Sequence, residues 1–171
     1  IDNKNSDEII KCIQNIGNSF GGINLEDIAA PDCFIIERKL RETLDIPIFH
    51  DDQHGTAIIT TAALINALDI SKKKVSDVRI VVNGAGASAI ACANLFKKIG
   101  IKKENIIMLD RKGVIYKGRD NIDEFKSAYA VNTKLRTLSE AINGADIFLG
   151  LSAKNVLTKE MVKSMSKKPI I

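Results

Sequence analysis

The segment Val81-Val82-Asn83-Gly84-Ala85-Gly86-Ala87-Ser88-Ala89 restricts the possible folds more than any other part of the chain. An apolar run enters a turn with two glycines and leaves into an alanine-rich stretch of helical period, which is the G-x-G-x-x-A pattern of a strand, a turn and a helix. Gly84 permits the tight turn, Gly86 lets the main chain approach a pyrophosphate, and Ala89 keeps the helix close to the strand. The free amides and positive dipole end of that helix would face the same phosphates. Asp110 ends the next apolar run 21 residues after Ala89, where an acid would hold the hydroxyls of an adenosine ribose. The alternative is a glycine-rich turn without a ligand. Asp110 would repel a ribose 2′-phosphate and so favours NAD. Arg111 and Lys112 follow at once and could pair with such a phosphate. The balance leans slightly to NAD over NADP.

Around this unit, short apolar runs alternate with segments of helical period, the pattern of a parallel sheet covered by helices. Helices are expected at Ser6 to Ile16, with Ile9, Ile10, Ile13 and Ile16 on one face, at Asp32 to Leu44 with Asp32 as N-cap, and at Thr56 to Leu68. Phe20 to Leu25 and Ile46 to Phe49 read as strands. The polar stretch Asp69 to Asp77 is the best candidate boundary. After it come strands at Val78 to Val82, Asn105 to Leu109 and Asp146 to Leu149. Helices are read at Ser88 to Ile99, Asp123 to Ala130, Leu138 to Ile142 and Thr158 to Met165, the last capped by Thr158. Ile170-Ile171 opens a strand.

A second constellation lies upstream. Glu26-Asp27 closes one expected strand and Asp51-Asp52 another, so both pairs fall at strand carboxyl ends, the edge where open parallel sheets bind ligands. Four carboxylates there could converge on one hard divalent cation. The alternative is that they cap the helices that follow. His50 and His54 flank the second pair, a spacing at which histidines more often cap or hydrogen-bond locally than ligate. No serine lies in a G-x-S-x-G turn and no cysteine neighbours a histidine, so a nucleophilic hydrolase is not indicated.

Composition narrows the function classes. The chain carries 25 basic and 21 acidic residues, with lysines in separate short clusters and only 5% aromatic residues, which argues against a nucleic-acid surface. No apolar run spans a bilayer, so no membrane role is expected. Cys12, Cys33 and Cys92 are odd in number and widely spaced in apolar helical stretches, which implies a reducing compartment and ordinary burial rather than disulfides or a zinc site. The first residue is not Met and the last four look like the opening of a strand, so the chain reads as a fragment.

Phe20-Gly21-Gly22-Ile23-Asn24-Leu25-Glu26-Asp27-Ile28, Ala30-Pro31-Asp32-Cys33-Phe34 and Ile46-Pro47-Ile48-Phe49-His50-Asp51-Asp52-Gln53-His54-Gly55-Thr56-Ala57 resemble the malic enzymes, particularly the shorter bacterial type. Asn83 to Ala87, Asp110 to Ile115 and Phe148 to Ala153 continue the resemblance in order, over nearly the whole chain. It implies that Glu26, Asp27 and Asp52 ligate Mg²⁺ or Mn²⁺, with Asp51 a neighbour in the same site that either supports the ligands or handles a proton. It also implies that Ala85, Gly86, Ala87 and Ser88 hold the pyrophosphate of NAD or NADP beside Gly84. The activity implied is oxidative decarboxylation of malate to pyruvate and CO₂ by a cytoplasmic homodimer or larger assembly. The family's lysine base and tyrosine acid would precede residue 1, so the isolated fragment is expected to bind without turning over. One departure is Lys154-Asn155 where the family commonly has Pro-Gly.

The resulting expectation is an α/β chain. Residues 77–171 form a doubly wound parallel sheet of the Rossmann NAD(P)-binding type, truncated at its C-terminal end. Residues 1–76 form part of a preceding α/β catalytic domain that supplies the carboxylates. A metal-independent NAD(P) dehydrogenase of another small acid and a non-catalytic nucleotide-binding module stay open beside it.

Overall fold

The strands of the second half are apolar at every position before their carboxyl-terminal residue because both faces of their sheet are covered. In the computed structural model, which describes residues 1–171, β3 (Ile80–Asn83), β4 (Ile106–Asp110) and β6 (Ile147–Gly150) are parallel neighbours. Ile80, Val82, Ile106, Met108 and Ile147 point into one core, while Val81, Ile107, Leu109 and Phe148 point into a second on the opposite face. That period-2 division is why these runs do not alternate with polar residues. The first core is closed by α3 (Asp51–Ser71) and α4 (Ala87–Lys98), and the second by α6 (Leu138–Ile142) and α7 (Lys159–Ser164). Helices on both faces of a mainly parallel sheet make the doubly wound α/β architecture expected from the sequence.

With β5 at Gly113–Val114, the sheet order is β5-β4-β3-β6. The chain moves outward from β3 to β4 and then returns to the other side of β3, so the winding reverses between β3 and β6. β5 (Gly113–Val114) is a short antiparallel edge strand that the sequence did not reveal. Ile170 bridges Ile147 in parallel, in keeping with the strand start read at Ile170.

The first half is a smaller unit. α1 (Ser6–Gly17) and α2 (Asp32–Thr43) cover the parallel pair β1 (Ile23–Leu25) and β2 (Ile48–His50) around Ile10, Ile13, Leu25, Ile36, Leu40 and Ile48. Several boundaries differ from the expected ones. Ile16 is exposed, because the buried stripe of α1 runs through Ile10, Ile13 and Gly17. Cys12 lies off that stripe and is also exposed, whereas Cys33 and Cys92 are buried as expected, and all three are free. Burial pushes the Cys33 thiol up to about 11. Asp32 is not the cap of α2. Pro31 holds that position without a side-chain bond, and Asp32 sits in the first turn, where its charge faces the positive dipole end.

The largest difference is α3, which begins at Asp51 rather than Thr56. His50 is its N-cap, with Nδ1 accepting the Gln53 amide at 3.3 Å, and Asp51 and Asp52 occupy the first turn. Acids in a first turn are favoured by the dipole, so the strand-closing pair is at once a helix start. The helix read over Asp123 to Ala130 shortens to α5 (Glu124–Ser127), with Asp123 accepting the Lys126 amide. Thr158 caps α7 as expected.

Asp146 ties the second unit together at the amino end of its sheet. Its carboxylate accepts from Lys73 Nζ at 2.7 Å, Ser166 Oγ at 2.6 Å and the Arg79 amide at 2.9 Å. Burial alone would raise its pKa, but these three donors outweigh that and hold it below the usual carboxylate range. A depressed folded-state pKa gives stability that is present above the unfolded value, near pH 4, and is lost as pH falls through the folded value. Asp146→Ala is therefore expected to cost about 2 kcal/mol at neutral pH. Urea unfolding across a pH series should show the gap between wild type and variant closing below about pH 4; a gap that persists there would contradict the assignment.

Candidate functional site

The reversal point between β3 and β6 is where an open α/β sheet forms a ligand crevice, and the glycine turn occupies it. Gly84 follows β3 with φ +138°, and a Cβ built there would stand 2.8 Å from the Leu151 carbonyl oxygen beyond β6. The Leu151 amide donates to Asn83 O at 2.9 Å, the Gly84 amide donates to Leu109 O at 2.9 Å, and Asn83 Nδ2 donates to Ser152 Oγ at 2.8 Å. Three strand ends are thus stitched together at one place. Gly86 differs: it is the N-cap of α4, and a Cβ there would meet nothing within 4 Å. Gly84 is required by packing and conformation, whereas Gly86 leaves space in front of a helix N-terminus.

That space opens into a cavity of about 1130 Å³. Such a volume suits a ligand at the large end of the usual small-molecule range. Gly84, Ala85 and Gly86 line one part of it, Asp110 to Gly113 another, and Leu151 to Ala153 a third. Ala30, Pro31 and Phe34 from the first unit complete the wall, so the cavity lies in the cleft between the two halves. Phe34 also packs on Phe125 at 4.3 Å between ring centroids. The cradle, the open helix N-terminus and the size all fit a dinucleotide.

Of the residues singled out for that ligand, Gly84, Ala85, Gly86 and Asp110 meet at the cavity, while Ala87 and Ser88 lie in the first turn of α4 and do not line it. Ser88 Oγ instead donates to the Asp52 carbonyl at 2.6 Å, which fastens the start of α3 to the start of α4. Residues that sequence reasoning passed over are Asn83, Ser152, Lys126 and Arg136 at the cavity wall and Arg119 behind Asp110. Asn83 ends β3 and Ser152 lies just beyond β6, but neither carries a motif signal of its own, and the segments that bear Lys126, Arg136 and Arg119 return to the strand ends only in three dimensions.

The four carboxylates stand at the ends of the neighbouring strands β1 and β2, outside the cavity wall. Asp52 Oδ2 accepts the Asp27 amide at 2.9 Å, and Asp27 has φ 56°. A left-handed backbone is uncommon outside glycine, though aspartate is among the side chains that tolerate it. Asp51 lies against the main chain of Gly55, where an added Cβ would collide with Asp51 Oδ1. By donor type the set suits a hard cation such as Mg²⁺ or Mn²⁺. Placement on adjacent parallel strands suits it as well, but no three His, Cys, Asp or Glu side chains are already gathered as a ligand group. His50 and His54 act locally. His50 caps α3, and His54 Nε2 is 2.7 Å from Oε1 of the buried Glu37, which also accepts from Gln53.

Comparison with known proteins agrees with the geometry. The family model described as "Malic enzyme, NAD binding domain" matches residues 53–171, and that described as "Malic enzyme, N-terminal domain" matches residues 2–41. An NADP-dependent malic enzyme of Rhizobium meliloti is 59% identical over all of this chain, and one of Escherichia coli is 57% identical. An NAD-dependent malic enzyme of Rhizobium meliloti is 49% identical. The chain spans 23% of the length of the first two and 22% of the third. The crystal structure of an NAD-dependent malic enzyme from Thermotoga maritima superposes with a TM-score of 0.92 at 39% identity, covering 99% of this chain and 46% of that one.

Proposed function

The chain belongs to the malic enzyme family, and from that premise we propose that the full-length protein oxidatively decarboxylates malate to pyruvate and CO₂, using NAD or NADP and Mg²⁺ or Mn²⁺. The observation that carries the reading is the Ser88 to Asp52 bond. It fixes the carboxylate-bearing turn of the first unit against the N-terminus of α4, so a substrate held at one would face a dinucleotide held at the other.

Within this reading the glycine turn and the α4 amides receive the pyrophosphate, and Ala30, Pro31 and Phe34 shield it from water on one side. Glu26, Asp27 and Asp52 would hold the cation, with the Asp52 carboxylate already oriented by the Asp27 amide. When bound, the cation supplies Lewis-acid polarisation and the dinucleotide accepts hydride. Asp51 is exposed at the helix start, free to accept or return a proton from the substrate side.

No helix of the chain is long and apolar enough to cross a membrane. A homodimer or larger assembly, located in the cytoplasm, is proposed with the activity. The free cysteines support the location. The division into a metal and substrate unit over 1–76 and a dinucleotide unit over 77–171 is proposed on the same footing.

The direct test is malate-dependent reduction of NADP⁺ and NAD⁺ by the full-length protein with Mn²⁺, before and after EDTA. Turnover that EDTA abolishes and Mn²⁺ restores is expected. Turnover indifferent to EDTA would contradict the metal assignment.

A further inference from the structure

Asp110 does not stand as a free carboxylate. Arg119 Nη2 lies 2.6 Å from each of its two oxygens, and the Lys112 amide donates to Oδ1 at 2.8 Å. The same guanidinium is anchored from behind, with Nη1 donating to Gly113 O at 3.1 Å and Val114 O at 3.0 Å. The Arg119 side chain is 7% exposed and that of Asp110 19% exposed. This is a built pair on the antiparallel edge β4–β5, not two surface charges that happen to meet.

A carboxylate has about four lone-pair sites, and three are engaged by protein donors. Little capacity is left to grip a ribose diol. The charge of Asp110 is also largely cancelled at contact distance, so its repulsion of an approaching phosphate is weak. What remains uncompensated on this side of the cavity is positive. Arg111 and Lys112 line it, and Arg136 lines it with its guanidinium 3.6 Å over the Tyr116 ring, held by bonds from Nη1 to Thr133 O and Leu135 O. An arginine held in this way has lost much of its conformational freedom before any anion arrives.

We propose that Arg119 is a specificity-determining positioning residue: it masks Asp110 and so turns a site that would select the ribose diol of NAD into one that selects the 2′-phosphate of NADP, received by Arg111, Lys112 and Arg136. The inference rests on the dinucleotide reading above and deepens it. It also reverses the slight preference for NAD drawn from Asp110 in the sequence alone.

Binding to the full-length protein, measured by calorimetry, separates the possibilities without turnover. The probes are NADP⁺, NAD⁺, adenosine 2′,5′-bisphosphate and adenosine 5′-monophosphate. Wild type should bind each 2′-phosphorylated probe at least about tenfold more tightly than its partner. Arg119→Ala should reduce that preference to about twofold or less by unmasking Asp110, and adding Asp110→Asn should restore it. A role for Arg119 in packing alone, or in direct phosphate contact, predicts no such rescue and would overturn the masking. Should Arg119→Ala fail to fold, Arg111→Ala decides. A loss confined to the 2′-phosphorylated probes supports the assignment, and equal losses on all four overturn it. If wild type binds NAD⁺ as tightly as NADP⁺, this inference falls while the dinucleotide reading stands; if it binds none of the probes, the dinucleotide reading itself falls.

Discussion

Asp52→Asn in the full-length protein is expected to lower malate-dependent cofactor reduction with saturating Mn²⁺ on the order of a thousandfold, with little change in stability. The substitution removes the charge that a divalent cation needs. It keeps a side-chain oxygen that can still accept the Asp27 amide, so the junction between β1 and α3 survives. Asp52→Ala removes both and should show the same loss of turnover together with about 1 kcal/mol of destabilisation. Comparing kcat and urea midpoint for the two variants distinguishes a ligand from a structural acceptor. An Asp52→Asn enzyme within tenfold of wild type would place the cation elsewhere.

The two glycines of the turn should respond in opposite ways. Gly84→Ala puts a side chain into a left-handed region at φ +138°, 2.8 Å from the Leu151 oxygen, where main chain rather than a flexible side chain must yield. The β3–β6 junction would have to open, at a cost of about 2–3 kcal/mol. The Cβ of Gly86→Val meets no neighbour within 4 Å and the position needs no unusual backbone, so the change should cost less than about 1 kcal/mol, chiefly through poorer capping of α4. It would nonetheless project into the space expected to hold the pyrophosphate and should weaken dinucleotide binding about a hundredfold. Unfolding curves and calorimetric titration on the pair read the two effects separately. A Gly86→Val protein that binds NADP⁺ normally would show that the ligand does not approach this turn.

Much of the fold was legible because its strands and helices are set by local pattern. The runs at residues 80–82, 106–109 and 147–149 are apolar on both faces, as a covered parallel sheet requires, and the glycine turn marks which strand is central. The start of α3 was misplaced because Asp51 and Asp52 satisfy two rules at once, closing a strand and opening a helix. The capping role of His50 depends on one ring nitrogen that no sequence pattern reveals. At the site, Gly84, Gly86 and Asp110 were found from spacing, since a strand, a turn and a helix fix their relative positions. Arg119 was not, because its approach to Asp110 depends on how the chain turns beyond β5. Its pairing with Asp110 is the basis on which we propose selection of NADP, against the slight lean to NAD that Asp110 gives in the sequence alone. The carboxylates at the ends of β1 and β2 were recognisable as a group. Their mutual geometry is a matter of side-chain arrangement, to which sequence spacing is blind.

The central claim is that oxidation and carbon–carbon cleavage occur at one site, and the carbon balance of the full-length protein tests it most directly. With [4-¹³C]malate, Mn²⁺ and either dinucleotide, one ¹³CO₂ and one pyruvate are expected for every dinucleotide reduced, all three stopping together on chelation. Reduction of the dinucleotide with accumulation of the four-carbon keto acid and no labelled CO₂ would contradict it and leave a simple dehydrogenase.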